Sequence, residues 1–320
     1  MKWGIMSAAN IAKKALIPAL QRTEGAEVYA IASQSGKEKE IAEQFGIPIT
    51  YNSYEAMLNN PEVEAVYIPL PNHLHKEWTK KAAQAGKHIL CEKPAALTQA
   101  DVSDMIETCN RNGVYFLEAF MYQFHPQHQK VKDLISGGAV GEVSLIRTSF
   151  SFNFSRDNYN IRLDAAKGGG AMWDVGCYGV HSALHLMNEK VMRVTGAANI
   201  DPDYKVDTTS SATLTLNNGT LIQVDCSFDS ASRNTYEVVG AKGIITVHDA
   251  YRPDKKNHQG RITLENEKGI QEYAESGDQY SLQIRTFMEA VKNNSSLEQF
   301  HKETLRYIEA MEAIQKEILI

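Results

Sequence analysis

Three clusters in this chain carry groups suited to acid–base or anion-binding chemistry. The first is Glu92-Lys93-Pro94, directly after the apolar run HILC. A lysine at the C-terminal end of a buried parallel strand faces the ligand side of its sheet. Desolvation and neighbouring positive charge lower the pKa of such a lysine, which suits it to hydrogen bonding or proton relay. As three letters the segment is most often a polar loop, and its place at a strand end raises its value. Pro94 restricts the local backbone, and a cis bond in the turn is compatible with it.

The second cluster is KGGGAMWDVGCYGVH, from Lys167 to His181. Three successive glycines permit backbone geometries and close approaches that other residues resist. If a helix begins near Gly170, Asp174 and Tyr178 stand at i and i+4 on one face, with His181 close to it. An Asp and a Tyr so placed can hold a hydroxylated substrate, the Tyr moving a proton with its pKa lowered by a nearby Lys. Taken alone, a helix whose Tyr and His are satisfied core groups is the better reading.

The third cluster is Ser7-Ala8-Ala9-Asn10-Ile11-Ala12, where a GxGxxG turn would stand in a dinucleotide-binding unit. Small residues replace both leading glycines, yet still let backbone N–H groups approach a pyrophosphate at a helix N-terminus. An ordinary tight strand-to-helix turn fits the stretch equally well. The second strand ends in Ser33-Gln34-Ser35-Gly36-Lys37, with no acid to hold the 2′-hydroxyl of NAD. Hydroxyls, an amide and Lys37 can surround a 2′-phosphate, which favours NADP over NAD; a solvated loop is the alternative.

These clusters need elements to position them. Residues 2–6, 27–33, 63–68, 88–91 and 114–120 read as five strands. Helical patterns separate them, over the SAANIAKKALIPAL stretch and at 37–45, 54–58, 75–85 and 98–112. Strand–helix alternation at this spacing predicts βαβ units and a doubly wound parallel sheet. After about residue 125 the texture changes. Residues 143–154 read as a long strand with Phe150, Phe152 and Phe154 on one face. Hairpin patterns follow, turning at Asn218-Gly219 and at Gly240 to Gly243, with a third in RITLENEKGIQEY. Residues 280–292 and 302–318 read as helices. The expectation is an α/β chain of two domains. Residues 1–120 form a dinucleotide-binding domain. Residues 121–320 form an α+β domain on a large open, mostly antiparallel sheet, whose last helix can return to the first domain.

Composition narrows the class. The chain has 320 residues, a net charge of −6 and 43% hydrophobic residues, enough for two ordinary cores. No apolar run reaches the roughly 18 residues of a membrane helix, and no basic block points to nucleic acid. The N-terminus lacks a signal-peptide pattern, so a cytoplasmic location is expected. Cys91, Cys109, Cys177 and Cys226 are scattered, which predicts neither a disulfide framework nor a zinc knuckle. His73 and His75, two apart, diverge, so no metal is expected.

Taken together, the segments WGIMSAANIAKKALIPAL, SYEAML, VEAVYIPLPNHLH, AGKHILCEKP, LEAFMYQFHPQ and GGGAMWDVGCYGVH resemble the Gfo/Idh/MocA oxidoreductases, in order and over nearly the whole chain. The branch it is most similar to holds sugar dehydrogenases and dihydrodiol dehydrogenase. The resemblance implies a Rossmann first domain in which Ser7, Ala8, Ala9, Asn10, Ile11, Ser33, Gln34 and Lys37 meet the cofactor. Gln34 stands where many NADP-using relatives have Arg. Leu70, Asn72 and His73 match the loop on the nicotinamide-ribose side, beside Glu92 and Lys93, and Arg162 and Trp173 match positions near the cofactor. Lys93 matches the lysine regarded as catalytic and Asp174 the family's Asp. Tyr178 agrees with relatives that use Tyr as acid/base, where inositol dehydrogenases have His. Tyr122, His125, Asp174 and His181 are the substrate-lining candidates.

The implied reaction is hydride transfer between a nicotinamide and a sugar, polyol or dihydrodiol, with no nucleic acid or membrane partner. Relatives pair through the open sheet, which implies a homodimer or homotetramer. A non-catalytic cofactor sensor of the co-repressor kind is the competing class, and retention of Lys93, Asp174 and Tyr178 weighs against it. A third reading is an enzyme that keeps its cofactor bound while oxidising one sugar and reducing another.

Overall fold

The computed structural model describes residues 1–156 and 159–319. The chain divides into two compact units, Met1–Phe120 with Tyr280–Leu305, and Met121–Gln279 with Arg306–Ile320.

The first unit is built on a six-stranded parallel sheet: β1 (Lys2–Met6), β2 (Glu27–Ala32), β3 (Ile49–Tyr51), β4 (Ala65–Ile68), β5 (His88–Cys91) and β6 (Phe116–Glu118). Its spatial order is β3-β2-β1-β4-β5-β6, the doubly wound arrangement. Strands buried on both faces read as continuous apolar runs, and all four residues of β4 are buried. The connecting helices are α1 (Ile17–Arg22), entered through a π-turn at Ala12–Leu16, α2 (Glu38–Phe45), α3 (Tyr54–Leu58), α4 (His75–Gln84) and α5 (Gln99–Arg111). Ser53 caps α3 and Thr98 caps α5 through their side-chain oxygens. Strand β3 was not expected. It is a three-residue edge strand just after Pro48, too short to show a period. The order of strands reverses between β1 and β4, so the loops after β1, β2, β4, β5 and β6 share the carboxyl edge where ligands of such sheets sit.

The second unit opens with α6 (Pro126–Ser136) and β7 (Val143–Ser151). A π-turn at Met172–Gly176 then leads into α7 (Cys177–Leu186). Seven more strands follow: β8 (Val191–Ile200), β9 (Asp207–Leu216), β10 (Leu221–Ser227), β11 (Arg233–Gly240), β12 (Gly243–Val247), β13 (Gln259–Asn266) and β14 (Gly269–Ser276). They form one eight-stranded sheet in the order β14-β13-β12-β11-β7-β10-β9-β8. β7 and β10 run parallel and the other neighbours antiparallel. The alternation is two-sided. Ile146, Thr148, Val224, Cys226, Tyr236 and Val238 are buried on one face. The opposite face shows Arg147, Gln223, Asp225, Arg233 and Glu237, with Arg233 paired to Asp225 and Arg147 bonded to Gln223 at 3.3 Å.

Strand β7 stops at Ser151, three residues short of the expected end. Phe152 and Phe154 leave the sheet and pack on Phe228, with ring centroids 5.5 and 5.3 Å away. The two closing helices are α8 (Gln279–Asn293) and α9 (Glu298–Ile318). In the first unit, Phe287 of α8 packs against Trp3 at 5.5 Å. All four cysteines are buried and none forms a disulfide. Among the described residues no helix is long and apolar enough to cross a membrane.

Burial depresses the pKa of His75, His88, His125, His128 and His301. The unfolded chain therefore takes up protons near pH ~6.5 that the native state does not, and stability is lost as pH falls below that value. Thermal unfolding should show a lower Tm at about pH 5.5 than at about pH 7.5. An unchanged Tm would show that these histidines protonate alike in both states.

Candidate active site

In the first unit, the tip of β1 makes a turn that normally asks for glycine. Ser7 lies at φ +131°, a region non-glycine residues rarely occupy, and its N–H donates to the Ala32 carbonyl at 2.8 Å. That bond ties the tips of β1 and β2 together. Ala8, Ala9 and Ile11 are half-buried and Asn10 is exposed, with helical backbone from Asn10 onward. At the tip of β2, the Ser33 hydroxyl meets that of Ser35 at 2.8 Å, while Gln34 and Lys37 are exposed. Burial raises the Tyr54 pKa, while Gln34 and Ser7, at the tips of β2 and β1, lower it. These residues fit a dinucleotide: a glycine-like turn with small side chains enters a helix, and residues 33–37 hold no carboxylate.

Leu70 is buried, Asn72 half-buried and His73 exposed around the short helical turn Asn72–Leu74. Beyond β5, the Glu92 carboxylate accepts from the Tyr67 hydroxyl and from the Lys93 N–H, the latter at 3.2 Å. The Lys93–Pro94 bond is cis, and Lys93 is half-buried. Glu118, at the end of β6, is 3% exposed. One of its oxygens accepts from the Ala95 N–H at 2.7 Å and the other from the Thr304 hydroxyl at 2.8 Å. Burial of this carboxylate is compensated by those donors, and it fixes the backbone two residues past Lys93.

In the second unit, one buried carboxylate organises the glycine cluster. Asp207 accepts from the Met172 N–H at 2.7 Å and from the Ser210 hydroxyl at 2.6 Å. It thus caps the helix that carries Asp174 and Tyr178, although burial pushes its own carboxyl pKa up. Gly170 sits at φ +118°, and a Cβ there would strike the Asp207 carboxylate. Further along, a Cβ on Gly179 would strike the Thr148 hydroxyl of β7, so glycine lets the helix lie close on the sheet.

On that helix, the Asp174 carboxylate accepts from the Arg162 Nε at 2.5 Å. Asp174 raises the Arg162 pKa, with a smaller contribution from Tyr178. The Arg162 guanidinium also lies over the Phe152 ring at 5.8 Å. Tyr178 is 7% exposed and boxed by Phe150, Tyr251 and Tyr122 at 5.3, 5.4 and 5.8 Å. Trp173 is buried beside Asp174 in sequence. The structure therefore brings Asp174, Tyr178 and Arg162 together in the second unit, and places Lys93 with Glu92 in the first. Tyr122 and His181 are both buried and bonded to each other at 2.5 Å. His125 is buried with its Nε2 3.1 Å from the His258 carbonyl and its Nδ1 accepting from the Gln127 N–H.

Comparison with known proteins decides what this geometry belongs to. The GFO/IDH/MocA "Oxidoreductase family, NAD-binding Rossmann fold" matches residues 1–120, and the "GFO/IDH/MocA C-terminal domain" matches residues 128–246. The chain belongs to the GFO/IDH/MocA oxidoreductases. A family relative, D-xylose 1-dehydrogenase (NADP(+)) 2 of Haloferax volcanii, is 33% identical over 98% of this chain and 96% of its own. A 3-ketoreductase from Actinomadura kijaniata, solved with NADP and TDP-benzene, superposes with a TM-score of 0.94 at 29% identity, covering 99% of this chain and 98% of that one. Aldose-aldose oxidoreductase from Caulobacter crescentus, complexed with glycerol, gives 0.90 at 26% identity, covering 99% and 97%.

Sequence reasoning did not find Glu118, Asp207 or Tyr54. Glu118 lies in the family-like segment LEAFMYQFHPQ, and Tyr54 in the family-like SYEAML. Asp207 precedes an ordinary hairpin, and no local signal links it to a helix thirty residues earlier. Asp207→Ala should lower stability by about 1–3 kcal/mol, because helix N–H groups lose their buried acceptor. Asp207→Asn, which keeps an acceptor oxygen, should lose less. Urea denaturation of the two variants checks the order, and equal losses would contradict it.

Proposed function

We propose that this oxidoreductase prefers NADP and oxidises or reduces an uncharged polyhydroxylated sugar or polyol, with Lys93, Asp174 and Tyr178 as its catalytic residues. The observation that carries the reading is the boxed Tyr178 one helical turn beyond the Arg162-bound Asp174. NADP is supported by the carboxylate-free tip Ser33 to Lys37, by the relative named for NADP(+) and by the ketoreductase solved with NADP.

An uncharged substrate is supported by the pairing of cations in the second unit. Arg156 pairs with Asp201 and Asp229, Arg162 with Asp174, Lys167 with Asp164, and Arg252 with Asp254. A diphosphate would have to compete with each of those carboxylates. Residues 1–120 would hold the cofactor through Ser7 to Ile11, Ser33, Gln34, Lys37 and the Leu70 to His73 loop. Residues from 121 would choose the substrate.

A bound nicotinamide supplies or accepts the hydride. In the oxidation direction Tyr178 takes the hydroxyl proton, its ring held in one orientation by Tyr122, Phe150 and Tyr251. Lys93 donates a hydrogen bond to the reacting oxygen and steadies its developing charge. Asp174, fixed by Arg162, accepts from a neighbouring sugar hydroxyl and so selects the face presented to Tyr178. A cofactor sensor would use none of these three side chains. Exposed Arg147, Gln223 and Arg233 on the open sheet face support a homodimer or homotetramer assembled through it. Sedimentation at the mass of a single chain would rule that out.

A panel of aldoses, polyols and sugar nucleotides, run with NADP and NAD separately and followed at 340 nm, tests the substrate and cofactor classes. Activity confined to sugar nucleotides would overturn the uncharged-substrate reading. Lys93→Met and Tyr178→Phe should each cut turnover by about 10²-fold or more while leaving NADPH affinity within about threefold. Near-normal turnover in both would remove the acid–base assignment.

A further inference from the structure

His75 is the first residue of α4 and is fully buried. Its Nε2 lies 2.8 Å from the Leu70 carbonyl and its Nδ1 2.8 Å from the Pro94 carbonyl. The first carbonyl belongs to the loop after β4, which continues through Asn72 and His73. The second belongs to the loop after β5, one residue beyond Lys93. We infer that His75 is a positioning residue, which clamps the Leu70 loop to the Lys93 loop and holds the lysine's backbone in place for the reaction. This inference rests on the functional reading above.

The Pro94–Ala95 peptide is held at both ends. His75 takes its carbonyl, and Glu118 takes its N–H at 2.7 Å. The Lys93 N–H is held in turn by Glu92 at 3.2 Å. Every polar backbone group around Lys93 named here is therefore tied to a side chain rather than to a strand ladder. Such ties are what a loop needs if it is to present a reacting group without a regular element beneath it.

The donor count gives the clamp a further property. A carbonyl only accepts, so bonding both would take two imidazole protons, and neutral histidine has one. Burial lowers the His75 pKa more than its contacts with the Pro94 and Leu70 carbonyls raise it, and Lys93 and His73, on the two loops, add to the lowering. In the neutral ring one carbonyl accepts the single N–H, and the other stands 2.8 Å from the second ring nitrogen. Loss of His75 should loosen both loops together, although they are separated in sequence by the whole of α4 and β5.

The experiment compares wild type with His75→Gln and His75→Leu. The readouts are backbone hydrogen exchange over residues 70–74 and 92–96, NADPH affinity by fluorescence, and kcat and KM with the best sugar of the panel. His75→Leu should speed exchange in both loops. It should lower kcat about 10- to 100-fold and weaken NADPH binding by a smaller factor through the loosened Leu70 to His73 loop, while sugar KM stays within about threefold. His75→Gln, with one amide able to reach one carbonyl, should protect one loop and recover part of kcat. Should the Leu variant fail to fold, the Gln variant decides through the same exchange and kcat readouts. Unchanged exchange, faster exchange spread evenly over the first unit, or a kcat equal to wild type would overturn the clamp. Failure of wild type to bind NADPH would instead remove the functional reading, and the exchange data would still decide the clamp.

Discussion

The second unit depends on a buried carboxylate at the start of a helix. A helix N-terminus leaves backbone N–H groups without partners, and burying them unpaired costs more than most side-chain contacts return. Asp207 meets that demand from a different strand and so fixes where the helix begins. Everything presented by the helix inherits that origin: Asp174 against Arg162, Tyr178 in its aromatic box, Gly179 on the sheet. Because the carboxyl is buried, its bonds are not shared with water, and the position of the helix is set by a few short contacts.

The first unit solves a matching problem in the same way. Lys93, proposed to act on the substrate, lies on a loop, where no ladder holds the backbone. Buried Glu118 takes the N–H of Ala95, as Asp207 takes that of Met172. Both helices that follow the glycine-like turns, after Ser7 and after Gly170, also begin with a π-turn. A wider first turn is unusual in helices and is often found at functional sites. In each unit the local departure from regular geometry coincides with residues the sequence marks for chemistry.

Much of this was legible in the sequence, for identifiable reasons. Buried parallel strands must be apolar throughout, so β1, β2, β4, β5 and β6 stood out between helical stretches. Edge strand β3 is short and half-buried, and its pattern carries no such signal. The hairpins β9–β10 and β11–β12 were legible because Gly219 takes a positive φ in the first turn and glycines bracket the second, whereas β8 has mixed exposure along its length and did not register. Lys93, Asp174 and Tyr178 were legible through residue type and place at element ends. Their supports were not. Glu118, Asp207 and His75 act across long separations on backbone atoms, and a backbone partner leaves no trace in the letters of the chain.

The close seating of the helix on β7 has a consequence for how such a protein changes over time. At Gly179 no side chain larger than hydrogen fits, so this face of the helix is closed to variation. Arg162, two-fifths exposed, and Phe152 and Phe154, which are half-buried beyond the end of β7, are less tightly enclosed. Mutations that retune what is bound can accumulate there, while Tyr178, the proposed acid–base residue, stays where the sheet keeps it. One scaffold can then diversify its substrates without rebuilding its chemistry.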